Sequence, residues 1–287
     1  MYICNDCPRN CSIDRDIKFG FCACGRMPYV TRAAPHFGEE PCISGINGSG
    51  TVFFSGCNLK CSFCQNHEIS RKQTGKQVDE FELSDIMIRL QEKGVHNINL
   101  VTPTHFSEII AKSLILANLK IPVVWNSSGY EKAETLKKLE GLVDIYMPDY
   151  KYADHQLAKK YSYAEDYPEV AGNALKEMYR QTGKYIFDNG LLKSGLLVRH
   201  LILPGYTENS MDVIDFISDN FPQDSVLFSL MSQFTPMKAC DINNRVTEDE
   251  NEMLIHYMKL RGLSGFSQDN SSSTDELIPN FDLTGVK

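Results

Sequence analysis

Three cysteines within a single short loop constrain this chain more than any other feature. From Val52 to Asn66 it reads V-F-F-S-G-C-N-L-K-C-S-F-C-Q-N. The apolar run Val52-Phe53-Phe54 has the character of a buried strand, and Gly56 ends it. Cys57, Cys61 and Cys64 follow in a C-x3-C-x2-C spacing, with Phe63 just before the third. Three thiolates on one loop can hold three irons of a four-iron cluster and leave the fourth iron open. Soft sulfur ligation suits iron–sulfur chemistry or zinc, and an open position suits reaction more than structure. A structural zinc site is the competing reading. It needs a fourth ligand, for which the loop offers only His67, and Cys57 is one residue too far from Cys61 for the usual C-x2-C knuckle.

The chain has 287 residues, 42% of them hydrophobic, enough to bury a sizeable core in one large or two small domains. Its net charge of −8, without a dense basic run, argues against a nucleic-acid backbone as partner. No apolar run approaches the ~18 residues of a membrane span, and Met1-Tyr2-Ile3-Cys4 has neither the basic nor the apolar region of a signal peptide. Eight of the ten cysteines, all but Cys42 and Cys240, fall in motif-like spacings. Reduced, metal-binding thiols in a cytoplasm are therefore expected rather than disulfides.

Residues 1–50 read as an N-terminal Cys-rich module and a connecting loop. Cys4-x2-Cys7-x3-Cys11 is followed by Cys22-x-Cys24 with no helical or strand period between them. Such a segment cannot bury a core and is expected to need a metal to fold. Cys4, Cys7, Cys11 and Cys22 are the natural four-ligand set, for zinc or a second iron–sulfur cluster; free thiols are the plainer alternative. From Met27 to Gly50 the chain reads as connection, with His36, Glu39 and Glu40 on a solvated loop or, since the loop leads into the first strand, facing a substrate.

From Thr51 strands and helices alternate. The strands expected are Thr51–Ser55, Asn97–Thr102, Pro122–Asn126, Val143–Met147, Leu196–Leu203 and Val226–Met231. The helices expected are Ser84–Lys93, Phe106–Asn118, Ala133–Leu139, one long region from about Asp154 to Thr182, Met211–Asn220 and Glu248–Arg261. Ser84 is the expected N-cap of the first, and Thr247 with Glu250 the capping box of the last. Six βα units of one polarity imply an α/β chain with a parallel sheet and right-handed crossovers, too few for a closed eight-stranded barrel. The barrel unit is expected to span 51–261, and the tail, 262–287, to pack back on it. Ligands bind at the C-terminal ends of such strands. There the chain places Thr102-Pro103-Thr104-His105, Asn126-Ser127-Ser128, Asp149-Tyr150-Lys151 and Ser232-Gln233, with Arg199 and His200 inside an otherwise apolar strand. Capping and surface loops explain any one of these positions, but not all of them together.

Over nearly its full length the chain resembles the radical S-adenosylmethionine (radical SAM) proteins related to the pyruvate formate-lyase activating enzyme. Beyond the cluster loop, the resemblance rests on Cys4-x2-Cys7-Pro8-Arg9-x-Cys11, Glu39-Glu40-Pro41-x-Ile43-Ser44-Gly45, Val101-Thr102-Pro103-Thr104-His105, Met147-Pro148-Asp149-Tyr150-Lys151, Leu201-Ile202-Leu203-Pro204-Gly205 and Leu230-Met231-Ser232-Gln233. It implies a partial (β/α)6 TIM-like barrel. It also implies a 4Fe-4S cluster on Cys57, Cys61 and Cys64, whose open iron is chelated by S-adenosylmethionine. Reductive cleavage would then give methionine and a 5′-deoxyadenosyl radical that abstracts hydrogen. Cofactor contacts carry over to Asn126, Asp149, Lys151, Arg199 and Gln233. Thr102 to Thr104 stand where the family has a Gly-Gly-Glu type turn, so at Thr102 and Thr104 carbonyls or hydroxyls would have to serve. A reductant such as flavodoxin or ferredoxin is implied as partner, with a protein, peptide or small molecule as substrate; a glycyl radical enzyme is the narrow form. A non-catalytic zinc-binding interaction protein is the alternative from another class.

Overall fold

The computed structural model describes residues 1–267 and 279–286. In chain order the elements are β1 (Tyr29–His36), α1 (Pro41–Ser44), β2 (Ser49–Phe54), α2 (His67–Ser70), β3 (Lys76–Gln77), α3 (Glu80–Glu92), β4 (Ile98–Val101), α4 (Ser107–Ala117), β5 (Val123–Ser127), α5 (Ala133–Leu136), β6 (Ile145–Pro148), α6 (His155–Ser162), α7 (Tyr167–Thr182), β7 (Ile186–Asp188), β8 (Leu191–Leu201), α8 (Thr207–Asn220), β9 (Leu227–Met231), α9 (Glu248–Leu260) and β10 (Ser264–Ser267).

The strands form one sheet in the order β10-β9-β8-β6-β5-β4-β2-β1-β3, with β7 paired to β8. Every pairing from β2 to β10 along that path is parallel. Helices α3 to α9 fill the crossovers. Among the described residues the two ends of the path do not pair, so this is an open, partial barrel. All six expected strands are present, and β10 adds a further parallel strand beside β9, inside what reads from sequence as tail.

Side chains alternate across each strand. Outward, Trp125, Tyr146, Leu196, Val198 and Phe228 join the large core beneath the helices. Inward, Val124, Ile145, Met147, Leu197 and Leu227 form a second core with Cys42 and Ile43 of α1. Helix α1 thus plugs the concave side of the barrel from within. The stretch 27–50 is accordingly not plain connection: β1 pairs antiparallel with β2, and α1 is core. The expected break at Gly50 and Thr51 falls inside β2.

Other expectations shift locally. Helix α3 starts four residues before Ser84, capped by Asp79, whose carboxylate accepts from Phe81 and Glu82 N–H while Glu82 reaches back. Ser84 is a buried residue within it. The long region from Asp154 splits into α6 and α7 at Tyr163, a left-handed C-cap at φ 53°. Helix α8 begins at Thr207 rather than Met211. The Thr247–Glu250 capping box is present. Of the tail, Leu283 N–H donates to Thr31 O and Ala33 N–H to Thr284 O, and Val286 is buried, so its end does pack against β1. Ser271 to Ser273 and Ile278 lie outside the described residues.

Candidate active site

The inward parity that gives Val124, Met147, Leu197 and Leu227 to the core gives Asn126, Asp149, Arg199, Ser229 and Met231 to its upper end. The strand ends are zipped together: Thr102 N–H donates to Asn126 O at 2.8 Å, Asp149 N–H to Ser127 O at 2.9 Å and Tyr150 N–H to Arg199 O at 2.8 Å. Gly129, at φ +73°, is required where the β5 loop passes β6, since a Cβ there would lie 2.2 Å from Asp149 O.

The cluster loop leaves β2 and turns over this end of the barrel. Phe63 anchors it, buried against Phe234 at 5.8 Å between ring centroids, Tyr161 at 6.3 Å and Tyr152 at 6.5 Å. Gln65 Nε2 donates to Thr235 Oγ1 at 3.3 Å, tying the loop to the end of β9. Cys57, Cys61 and Cys64 then line a cavity of about 250 Å³ together with Thr102, Asn126, Asp149, Lys151, Arg199 and Gln233. Every sequence-derived site residue of the barrel is brought to this cavity except Thr104. That residue is buried, and its hydroxyl donates instead to the Glu131 carboxylate, which also accepts from Trp125 Nε1 at 2.9 Å. It is a structural residue, and its assignment to the cofactor is corrected. Thr102 does line the cavity, and it holds the left-handed φ of 60° that a glycine would take. His200 points away from the cavity. Its Nδ1 donates to Tyr150 O and its Nε2 accepts from Ser210, so it is a satisfied core histidine.

The charges form one chain. Lys151 Nζ meets Asp149 at 2.6 Å, Asp149 meets Arg199 Nε at 3.3 Å, and Arg199 Nη1 meets Glu39 at 3.1 Å. The middle contact lacks hydrogen-bond alignment at Nε. Burial pushes the Asp149 carboxyl up, but Lys151 and Arg199 outweigh it and hold the group below the usual range. Burial likewise disfavours the Lys151 ammonium, yet Asp149 and Cys61 raise its pKa overall. Arg199 Nη2 donates to Asn126 Oδ1 at 2.7 Å. Glu39 was legible only as one of two loop acids. Here it accepts from Asn99 at 2.9 Å and Asn126 at 3.3 Å as well as from Arg199, and sets the posture of both cavity residues.

The thiols fit a cluster. Each sulfur has a polar neighbour: Leu59 N–H at 3.4 Å from Cys57, Ser162 Oγ at 3.0 Å from Cys61 and Ser70 Oγ at 3.5 Å from Cys64. Burial pushes the Cys57 and Cys61 thiols up; repulsion from Cys61 and Cys64 adds to it at Cys57 and from Cys64 at Cys61, and Lys151 opposes it at both, so positive charge is what holds them as thiolates. Hydrogen bonds to such sulfurs orient the ligands and tune potential. Among the described residues no three His, Cys, Asp or Glu side chains converge as they would round a single metal ion. His67, the one candidate fourth zinc ligand, is exposed.

The N-terminal module packs directly behind this loop. Cys57 N–H donates to Cys22 O at 3.3 Å. Arg9 donates to Asn58 O at 2.8 Å and Ser162 O at 3.1 Å, and buried Arg15 to His105 O at 2.5 Å. Cys4, Cys7 and Cys22 are buried and Cys11 partly so. A side chain on Gly20 would meet Cys22 Sγ at 3.5 Å and Cys11 Sγ at 3.6 Å. Cys24 is buried beside Cys22, and its thiol also lies within donating distance of Ser55 O, at 3.4 Å.

Comparison with known proteins agrees with this geometry. The chain is 31% identical over 268 residues to the uncharacterised protein MJ0674 of Methanocaldococcus jannaschii, covering 88% of this chain and 73% of that protein. Among solved structures it resembles Streptococcus suis SuiB, with a TM-score of 0.55 at 16% identity over 75% of this chain. It also resembles a radical SAM methyltransferase from Sphaerobacter thermophilus, with a TM-score of 0.54 at 14% identity over 76% of this chain. It spans only 47% of the first and 65% of the second, and the likeness concerns fold. The family profile described as Radical SAM superfamily matches residues 51–217, the whole run from the first parallel strand to α8, and the chain therefore belongs to the radical SAM superfamily.

Proposed function

We propose that this protein is a radical SAM enzyme whose cluster is held by Cys57, Cys61 and Cys64 and whose S-adenosylmethionine lies in the adjoining cavity. When bound, the cluster supplies the electron that splits the sulfonium to methionine and a 5′-deoxyadenosyl radical. The observation that carries the reading is one cavity lined by the three thiols and by the polar ends of β4, β5, β6, β8 and β9. Within it, Lys151 is the cation for the cofactor's carboxylate, Asp149 and Asn126 accept from its amino or ribose groups, Arg199 orients both, and Gln233 closes the far side. Thr102 offers its hydroxyl where a glycine turn is usual. Leu59, Phe63, Leu201 and Phe234 keep water from the same space. The narrow form, activation of a glycyl radical enzyme with flavodoxin or ferredoxin as reductant, rests on the resemblance in motifs. A protein, peptide or small molecule fits the broader form.

Cys57→Ala, Cys61→Ala and Cys64→Ala are each expected to abolish 5′-deoxyadenosine formation under dithionite. Undiminished product in any one of them overturns the assignment. We propose further that Cys4, Cys7, Cys11 and Cys22 hold a second, closed metal site, zinc or iron–sulfur. Its support is the four-cysteine spacing in a segment without a core of its own, with Cys4, Cys7 and Cys22 buried and Cys11 partly so. Iron, sulfide and zinc measured in the triple-alanine variant of the cluster loop test it: metal should remain, and none remaining refutes it.

A further inference from the structure

A second cavity, of about 400 Å³, adjoins the first inside the open barrel. The two share Asn126, Arg199, Met231 and Gln233 as a common wall. Its own lining adds His36, Glu39, Glu40, Ser229 and the apolar surfaces of Phe53, Pro41 and Phe266. Its charges are not all taken up by ion pairs. Glu39 is consumed by Arg199, Asn99 and Asn126. Arg199 is shared between Glu39 and Asp149, and Lys151 is paired to Asp149. That chain contains two carboxylates and two cations. Glu40 is the carboxylate left over. Its Oε2 is shut off from solvent with no hydrogen-bond partner among the described residues. It precedes α1 as N-cap yet makes no side-chain capping bond, so the helix does not use it either. Burial pushes its pKa up and Glu39 adds, while Arg199 and a hydrogen bond from the Ser229 side chain oppose. A second acceptor, Gln233 Oε1, is likewise buried and without a partner among the described residues on the same lining.

Two acceptor atoms without a partner among the described residues, one of them on a carboxylate outside the ion-pair chain, ask for a group with several N–H donors and a positive charge. The apolar surfaces beside them ask for a hydrocarbon stem. Building on the cofactor assignment above, we infer that this cavity is the substrate chamber and that it takes an alkylammonium group on Glu40, from a free amine or a lysine side chain. Hydrogen abstraction would then fall on the stem, toward the shared wall.

Saturation-transfer NMR titration of the cluster-loaded protein with S-adenosylmethionine tests this, using n-pentylamine, n-pentanol and Nα-acetyl-lysine methylamide as probes. Pentylamine is expected to bind at least tenfold more tightly than pentanol, and Glu40→Gln to bring it down to pentanol's level. Blocked lysine binding as well as pentylamine assigns the amine to a lysine side chain; its exclusion assigns a free amine. Equal affinity for amine and alcohol, or a folded Glu40→Gln that keeps the amine preference, overturns the inference. The wild-type ratio decides the matter if the variant does not fold. Release of 5′-deoxyadenosine by the same wild-type sample separates the two readings. Cleavage without amine preference removes only the chamber, whereas no cleavage removes the cofactor assignment first.

Discussion

At the scale of single residues the site is a set of charges that burial makes expensive and pairing makes tolerable. Lys151 illustrates it. Asp149 and Lys151 share strand parity, so the sequence alone puts them on one side, and the structure joins them at 2.6 Å with little solvent access. The Glu39 end of the chain was not legible, because nothing in the spacing of a loop says that it will fold back into the barrel. Lys151→Met keeps the stem and removes the charge. It should weaken S-adenosylmethionine binding about tenfold or more, the equivalent of one charge-assisted hydrogen bond, with the cluster intact. Calorimetric titration checks this, and an unchanged dissociation constant passes the carboxylate contact to Arg199. His200 misleads in the opposite sense, since a histidine within an apolar strand reads as functional until its two partners are seen. Burial lowers its pKa from 6.5 to about 4. Unfolding releases a base that protonates near 6.5, so this contribution to stability is whole above that pH and is lost as pH falls toward 4. The loss amounts to about 3 kcal/mol. His105, lowered to about 3 by burial and by Arg15, acts in the same direction, and Glu131, raised by burial, in the other. Urea midpoints should fall from pH 7 to pH 4.5, and fall less in His200→Gln; an equal fall in both contradicts the assignment.

At the scale of elements, periodicity located the parallel strands and the capping signals did less well. Six strands were legible because each is a nearly unbroken apolar run buried on both faces. Asp79 and Ser84 are both acceptable caps, and only Asp79 has a Glu three residues on, which decides the start of α3. The end of α6 carries no Gly, since Tyr163 takes the left-handed turn that usually marks a helix end with Gly or Asn, and the start of α7 is signalled only by Pro168 in its first turn. Strand β1 is not legible in the sequence because its inward and outward residues do not alternate cleanly, its ladder to β2 shifting between Val30 and Arg32. Gly56 shows how tightly these elements meet. At φ +77°, its Cβ would lie 2.4 Å from Cys24 Sγ and 2.5 Å from Cys22 O. Gly56→Ala should cost on the order of 1–3 kcal/mol and push the N-terminal module off the cluster loop. Melting temperature and iron per chain should both drop, and a variant with full iron and an unmoved melt would refute the contact.

At the scale of the molecule, an open barrel leaves its inner face to be filled from the chain itself. The segment before β2 does this with α1 and with Glu39 and Glu40, while β10 extends the other edge. Order along the chain could not show either, because both are placements across the barrel rather than patterns within an element. The family, the cavity and the cluster loop converge on one claim, that three thiolates leave an iron free for S-adenosylmethionine. Electron paramagnetic resonance of the dithionite-reduced protein, before and after S-adenosylmethionine is added, tests it most directly. The account predicts a four-iron signal that depends on Cys57, Cys61 and Cys64 and whose g-values move on addition of the cofactor. A signal that does not move, or a protein that holds only zinc, would contradict it.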